Sequence, residues 1–297
     1  MRYLIKNWLT VFIYLSLIFL ALALAKADYL VVPEIVSGAD LLIAFLFLFG
    51  GFLLNALAWK SILSGAAYPI GFGQSVTSTG LAVFGKYIPG KLWAMVGQAG
   101  IVANTYNYPV SSVSGILINA QLIAIWIGLI LSLIGIIGFG GYDPEIYVLI
   151  SLLILILSVL IFSRVQKVIV EKLIKRFVKS EFEYAASSVK SISLTAVFYL
   201  LAWLSWCVGF YFLVISLSGF SAPLFVGLGM ALALTFGFLA IIVPGGLGVR
   251  EAVLFGWLTL AGVEPVMATT ISIACRFWFL IGELFIFGLA MLLKRTN

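Results

Sequence analysis

Six runs of apolar residues, each close to the length needed to cross a bilayer, determine the fold class of this chain. They are 8–25, 41–63, 111–139, 146–162, 192–217 and 266–293. A helix that crosses the hydrocarbon core needs about 17–25 mostly apolar residues. Charged residues make up only 9% of the 297 residues, against about 25% in a soluble domain. The sequence therefore predicts an all-α, polytopic helical membrane protein with about six full spans.

Residue usage excludes several kinds of site. The chain has no His, the commonest metal ligand and a frequent general base. Its two cysteines, Cys207 and Cys275, lie in apolar runs, so we expect neither a disulfide framework nor a metal site. The net charge of +6 collects at helix ends and in one loop, as membrane topology requires. We expect no cofactor, no metal and no nucleic-acid partner.

The first apolar run, 8–25, has two interpretations. Ala25-Lys26-Ala27 resembles the cleavage site of a signal peptide. The run is longer than the usual apolar core of a signal peptide, which is about 7–15 residues, and no polar soluble sequence follows it. We therefore favour a retained first helix.

The distribution of basic residues orients the spans. Segments 1–7, 164–190 and 294–297 carry most of the Lys and Arg, and 164–190 alone has seven against three Glu. Such segments stay on the cytoplasmic side. The acidic loops 26–40 and 140–145 are then external. These sides predict a multi-pass protein of the cell membrane with both termini cytoplasmic.

With these sides fixed, two further segments must return to the side that they leave. One joins the second and third spans, and the other is 219–265. Each is predicted as a re-entrant or broken-helix hairpin. The chain then forms a single integral membrane domain, 1–297, whose halves 1–140 and 141–297 both run span, span, hairpin, span. Because the halves enter from opposite sides, they form an inverted repeat.

Both hairpins are interrupted by Pro-Gly sequences beside charged residues. The first reads G-K-Y-I-P-G-K at 85–91, and the second reads I-V-P-G-G-L-G-V-R-E at 242–251. Irregular backbone within a membrane must be covered by protein or line a water-filled cavity. A helix that starts at each break adds its positive dipole end, and exposed backbone N–H groups suit an anion such as phosphate. We expect the two breaks to face each other in one site.

Nine residues in these breaks and in the last span are the predicted substrate-binding residues. They are Lys86, Lys91, Gly245, Gly246, Gly248, Arg250, Glu251, Arg276 and Glu283. A charge at a helix centre costs about 2.5–3.5 kcal/mol in lipid, so these charges must face inward. Four are positive and two are negative, and a phosphate would balance the excess.

Each residue type has an expected role. Arg250 and Arg276 are the expected main phosphate contacts, and the two lysines approach from the other hairpin. The glycines offer backbone N–H groups, while Glu251 and Glu283 position the arginines or take up a proton. Two alternatives stay open: the Arg and Glu residues form structural pairs, or the lysines reach the surface of a shallow hairpin.

The two motifs resemble a known family. P-G-G-L-G-V-R-E at 244–251 resembles the transmembrane region of lysylphosphatidylglycerol synthases, the flippase part of the multiple peptide resistance factor. K-Y-I-P-G-K-L-W at 86–93 is similar to its second hallmark. The resemblance covers essentially the whole chain, and the length is that of a stand-alone member without the synthase domain. It implies an all-helical, flippase-like domain without synthase activity. The family often has a basic residue where this chain has Gln98, which bears on the head group that is bound.

We therefore predict a non-enzymatic, flippase-like protein that binds and translocates an anionic phospholipid or a lipid-phosphate head group. One alternative is a polyprenyl-phosphate or glycolipid translocase in cell-surface polysaccharide synthesis. A second is a non-transporting membrane scaffold for a partner enzyme, a membrane or cytoplasmic protein that it recruits through the basic segment 164–190. A third is a membrane enzyme that uses Glu251 and Glu283.

Overall fold

Nine α-helices and no β-strand make up the described part of the computed structural model, which comprises residues 34–87, 92–140, 144–163, 188–219, 222–240 and 243–296. The helices are α1 Gly38–Gly65, α2 Phe72–Ala82, α3 Leu92–Tyr106, α4 Val110–Phe139, α5 Pro144–Phe162, α6 Val189–Ser218, α7 Gly229–Leu239, α8 Val249–Leu260 and α9 Pro265–Thr296. Short 3-10 turns lie at Val83–Tyr87, Leu224–Leu228 and Pro244–Gly246.

Five of these helices, α1, α4, α5, α6 and α9, are long and apolar enough to cross a membrane. They coincide with five of the six predicted spans, so the prediction of a polytopic helical membrane protein is confirmed. The remaining predicted span, 8–25, lies outside the described residues. Most of the basic segment 164–190 does so as well.

Local sequence signals fix where the long helices begin and end. Ser37 caps α1 by accepting a hydrogen bond from the backbone N–H of Asp40 at 3.3 Å, and Ser188 caps α6 in the same way. Pro265 opens α9, where its missing N–H costs nothing. Gly219 closes α6 in the left-handed conformation, with φ of +60°.

The four short helices form two broken hairpins, α2–α3 and α7–α8. Each has 11 to 15 residues, fewer than the roughly 20 that a span requires. In the second hairpin, Gly245, Gly246 and Gly248 all have positive φ. A residue with a side chain adopts this conformation only with strain. The glycines therefore prevent α7 and α8 from continuing as one helix.

The long helices α1 and α6 make the most extensive helix–helix contact in the described part of the chain. The Ser205 hydroxyl on α6 donates to the Phe47 carbonyl of α1 at 2.7 Å, and the Trp206 indole donates to the Leu48 carbonyl. Trp206 also lies over Gly51, where a β-carbon would collide with its ring. Small residues let the two backbones approach closely.

Helix contacts in one half recur in the other. Helix α2 packs against α9, and its counterpart α7 packs against α4. Likewise α3 packs against α4, and α8 against α9. Counterpart helices start at Gly38 and Val189, Phe72 and Gly229, Leu92 and Val249, and Val110 and Pro265, which are 151, 157, 157 and 155 residues apart. The division into two halves and their opposite orientation in the membrane stay predictions.

Candidate functional site

The two helix breaks lie against each other, as predicted from the sequence. The turn Val83–Tyr87 of the first hairpin contacts the turn Pro244–Gly246 of the second. A β-carbon at Gly245 would lie 2.6 Å from the Tyr87 ring, closer than any side chain tolerates. Glycine is therefore required at position 245 both for its positive φ and for this close approach.

A cavity of about 230 Å³ lies beside this contact. Every described helix except α5 contributes to its wall, which is mostly apolar. Apart from two tryptophans, its polar side chains are Asn55, Thr79, Lys86, Gln98, Gln121, Thr235 and Arg250. Among the lining residues that the structure describes, two are cationic and none is acidic. The wall therefore favours an anionic or polar ligand.

Lys86 reaches the cavity from the first hairpin while its ammonium group forms an ion pair with Glu283 of α9. Glu283 is 1% exposed, and its second oxygen accepts a hydrogen bond from the Tyr87 hydroxyl at 2.9 Å. The Lys86 ammonium also lies 5.5 Å from the ring centre of Phe279. Glu283 thus holds Lys86 and Tyr87, rather than the arginines that the sequence suggested, and ties the first break to the last span.

Arg250, the second residue of α8, supplies the other cation of the cavity wall. Its aliphatic stem crosses Gly237 of α7, where a β-carbon would lie 2.5 Å from Cγ and 2.6 Å from Nε of the arginine. The guanidinium lies 5.7 Å from the ring centre of Phe279. Its Nε is buried and has no hydrogen-bond partner among the described residues. Arg250 is therefore positioned by packing against Gly237 and Phe279, at the wall of the cavity.

Arg276 lies behind the wall rather than at it. The side chain is 5% exposed, and Nη1 donates to the Gly245 carbonyl at 3.2 Å. Its guanidinium also lies over the Tyr87 ring, 5.1 Å from the centre. Arg276 is not among the residues that line the large cavity. The structure therefore places it against the Gly245 break, and a direct contact of Arg276 with phosphate stays a prediction.

The glycine run offers fewer backbone N–H groups to an anion than the sequence predicts. Gly245 lines the cavity, but the N–H of Gly246 is already donated to the Val243 carbonyl at 3.1 Å. Gly248 is exposed and precedes α8 as its N-cap, away from the cavity wall. Of the three glycines, Gly245 thus lines the cavity, whereas Gly246 and Gly248 shape the turn. Lys91, the remaining predicted residue, lies outside the described residues.

Glu251 lies in a second, much smaller cavity of about 10 Å³. Arg250 and Arg276 line the same space. Both carboxylate oxygens of Glu251 are buried and have no hydrogen-bond partner within the described chain. The carboxylate therefore faces the two arginines without being held by either of them.

Two residues of the site, Phe279 and Gly237, are not among those predicted from the sequence. Phe279 contacts the cations of both hairpins, and its position three residues after Arg276 and four before Glu283 places all three on one helix face. That spacing was a usable signal. Gly237 lies in a largely apolar stretch, and nothing in the sequence indicates that Arg250 packs against it. Gln98, which donates to the Thr79 hydroxyl at 3.0 Å, adds a neutral amide to the wall.

The profile of the family described as "Lysylphosphatidylglycerol synthase TM region" matches residues 7–283. The matched region contains both helix breaks and every residue of the candidate site. A search of curated proteins finds no match to this chain.

Proposed function

The chain belongs to the family of the lysylphosphatidylglycerol synthase TM region, and on that premise we propose that it is a flippase-like lipid translocase. It binds the anionic phosphate head group of a lipid between its two broken hairpins and moves that group across the bilayer. It acts in the cell membrane with cytoplasmic termini, and it carries out no chemical reaction on the lipid.

The charge balance of the site carries this proposal. The described charges at the two breaks are Lys86, Arg250, Arg276, Glu251 and Glu283, three positive and two negative. The described residues of the site therefore sum to a net charge of +1 in a low-dielectric region, where an uncompensated charge costs several kcal/mol. A phosphodiester carries one negative charge and would neutralise the site.

The size of the cavity supports a head group as the ligand. Pockets for drug-sized molecules measure about 300–1,000 Å³, and this cavity measures about 230 Å³. It has room for a phosphate and a small polar substituent, but not for a whole lipid. The acyl chains would therefore remain in the bilayer while the head group occupies the cavity.

Each part of the cavity wall has a role in this mechanism. Phosphate oxygens accept charge-assisted hydrogen bonds from Arg250 and Lys86, which are about twice as strong as neutral ones. The side-chain amides of Asn55, Gln98 and Gln121 contact the polar substituent. Each hairpin packs against the last span of the other half, so a rocking motion between the halves would open the cavity to the other leaflet.

A reconstituted flipping assay tests the proposal. Proteoliposomes carry a fluorescent phosphatidylglycerol, a fluorescent phosphatidylcholine or a fluorescent glycolipid without phosphate, and the loss of outer-leaflet fluorescence is followed after a reductant is added. We expect the protein to accelerate movement of phosphatidylglycerol most and of the glycolipid least. Arg250→Ala should abolish the acceleration, while Arg295→Ala, an exposed arginine near the end of α9, should retain it. Equal movement of all three lipids, or full activity in Arg250→Ala, would refute the proposal.

A polyprenyl phosphate is the second candidate, because a cavity that takes only the head group does not select the hydrophobic tail. Its phosphomonoester carries a charge of about −1.5 to −2 at neutral pH, which exceeds the net charge of the described site. We therefore expect unlabelled polyprenyl phosphate to compete less well than phosphatidylglycerol in the same assay. Stronger competition would make it the favoured substrate.

A further inference from the structure

The small cavity behind Arg250 contains a carboxylate for which lipid binding alone gives no role. Glu251 is the third residue of α8, and neither of its buried oxygens has a hydrogen-bond partner among the described residues. The cavity measures about 10 Å³, which is close to the space that one water molecule needs. Glu251 therefore lies close to the phosphate-binding wall without being part of it.

The surroundings of Glu251 are strongly asymmetric. Its own helix contributes Arg250, and α9 contributes Arg276 together with the thiol of Cys275 and the hydroxyl of Ser272. Helix α7 contributes only apolar side chains to this cavity, with no titratable group. Two guanidinium groups thus face one carboxylate. Because the carboxylate makes no hydrogen bond to them, its charge acts on the cluster through space.

We propose that Glu251 is a specificity residue that restricts the head-group site to ligands with a single negative charge. The inference rests on the proposed function above. With Glu251 ionised, the described site has a net charge of +1, which a phosphodiester neutralises and a dianionic phosphomonoester exceeds. Without that carboxylate the net charge is +2, and the dianion becomes the matched ligand. Glu251 sets this limit without touching the ligand, because its oxygens face the small cavity.

The replacement Glu251→Gln tests this role because it removes the charge and keeps the size of the side chain. Purified protein is equilibrated at pH 7 with nanodiscs that contain equal amounts of phosphatidylglycerol and phosphatidate, and bound lipids are quantified by mass spectrometry. We expect the wild type to be enriched in phosphatidylglycerol. The ratio of bound phosphatidate to phosphatidylglycerol should rise about tenfold in Glu251→Gln, which corresponds to about 1.4 kcal/mol.

Two control variants separate charge from structure. Glu264→Gln makes the same chemical change at an exposed position and should leave the ratio at the wild-type value. Glu251→Asp keeps the charge and should also leave the ratio unchanged. A Glu251→Gln protein that binds lipid with the wild-type ratio would overturn the inference, as would a Glu251→Asp protein that shifts the ratio as Glu251→Gln does.

A second measurement needs only the wild type, so it remains decisive if Glu251→Gln fails to fold. Soluble glycerophosphoglycerol, a monoanion, and glycerol 3-phosphate, a dianion at this pH, compete for bound phosphatidylglycerol. We expect the monoanion to compete about tenfold better than the dianion. A dianion that competes better than the monoanion would overturn the inference. Failure of the proposed function has a different signature, because the wild type would then enrich no phosphate lipid and neither soluble head group would compete.

Discussion

Gly237→Ala provides the sharpest test of how the fold positions Arg250. A β-carbon at position 237 would lie 2.5 Å from Cγ and 2.6 Å from Nε of Arg250. Non-bonded carbon atoms normally approach to about 3.5–4.0 Å, so the arginine must move by about 1 Å. Gly237 lies in α7 and its φ is not positive, so alanine is compatible with the local backbone. The substitution therefore acts on the side chain of Arg250 rather than on the helix.

The expected effect on binding is larger than the effect on stability. Overpacking costs about 1–3 kcal/mol, and the better helix propensity of alanine returns up to about 1 kcal/mol. Displacing the guanidinium removes a hydrogen bond to a charged group, which contributes about 1.5–3 kcal/mol. Binding of an anionic head group should therefore weaken about 10- to 150-fold, while the protein remains folded.

The assay is equilibrium binding of fluorescent phosphatidylglycerol to purified protein in nanodiscs, with thermal unfolding measured on the same preparations. Gly256→Ala is the matched control, because a β-carbon at this position of α8 meets no atom within 4 Å. It should bind lipid as the wild type does. The reasoning is refuted if Gly237→Ala also binds with wild-type affinity, or if both alanine variants lose the same affinity.

Two further predictions concern the breaks themselves. Glu283→Gln leaves the Lys86 ammonium without its partner and should lower the free energy of unfolding by up to about 3–5 kcal/mol. Replacing both Glu283 and Lys86 by Met should recover most of this loss, as measured by thermal unfolding. A double variant as unstable as Glu283→Gln would contradict the expectation. Gly245→Ala combines a positive φ with a steric clash, whereas Gly248→Ala has a positive φ and open space. Gly248→Ala should therefore cost about 1–2 kcal/mol, and Gly245→Ala should cost clearly more and also reduce lipid binding, so equal losses would show that the contact between the breaks contributes nothing.

The sequence allowed the helical framework to be predicted because the physical signal was strong. Long apolar runs must span the bilayer, and the described spans begin and end within about three residues of the predicted boundaries. The two broken hairpins could also be predicted, because proline and glycine within an apolar run interrupt a membrane helix. Their contact with each other followed from the requirement that irregular backbone in a membrane be covered.

The roles of the site residues were harder to predict from the sequence, because they depend on how deeply each side chain is buried and on partners that are distant in sequence. Glu283 and Lys86 are 197 positions apart, and nothing local indicates that they pair. Arg250 and Arg276 are the same residue type at helix breaks or in a span, yet one lines the cavity and the other supports Gly245 from behind. The run of three glycines likewise did not reveal which of them faces the cavity.

The central claim is that Arg250 binds the phosphate of a lipid in the cavity between the hairpins. The most direct test is quantitative mass spectrometry of the lipids that co-purify in mild detergent with the wild type, Arg250→Ala and Arg295→Ala. The account predicts that one class of anionic phosphate lipid is enriched with the wild type and Arg295→Ala and is lost with Arg250→Ala. If all three proteins carry the same unselective lipid mixture as the membrane, the account is contradicted.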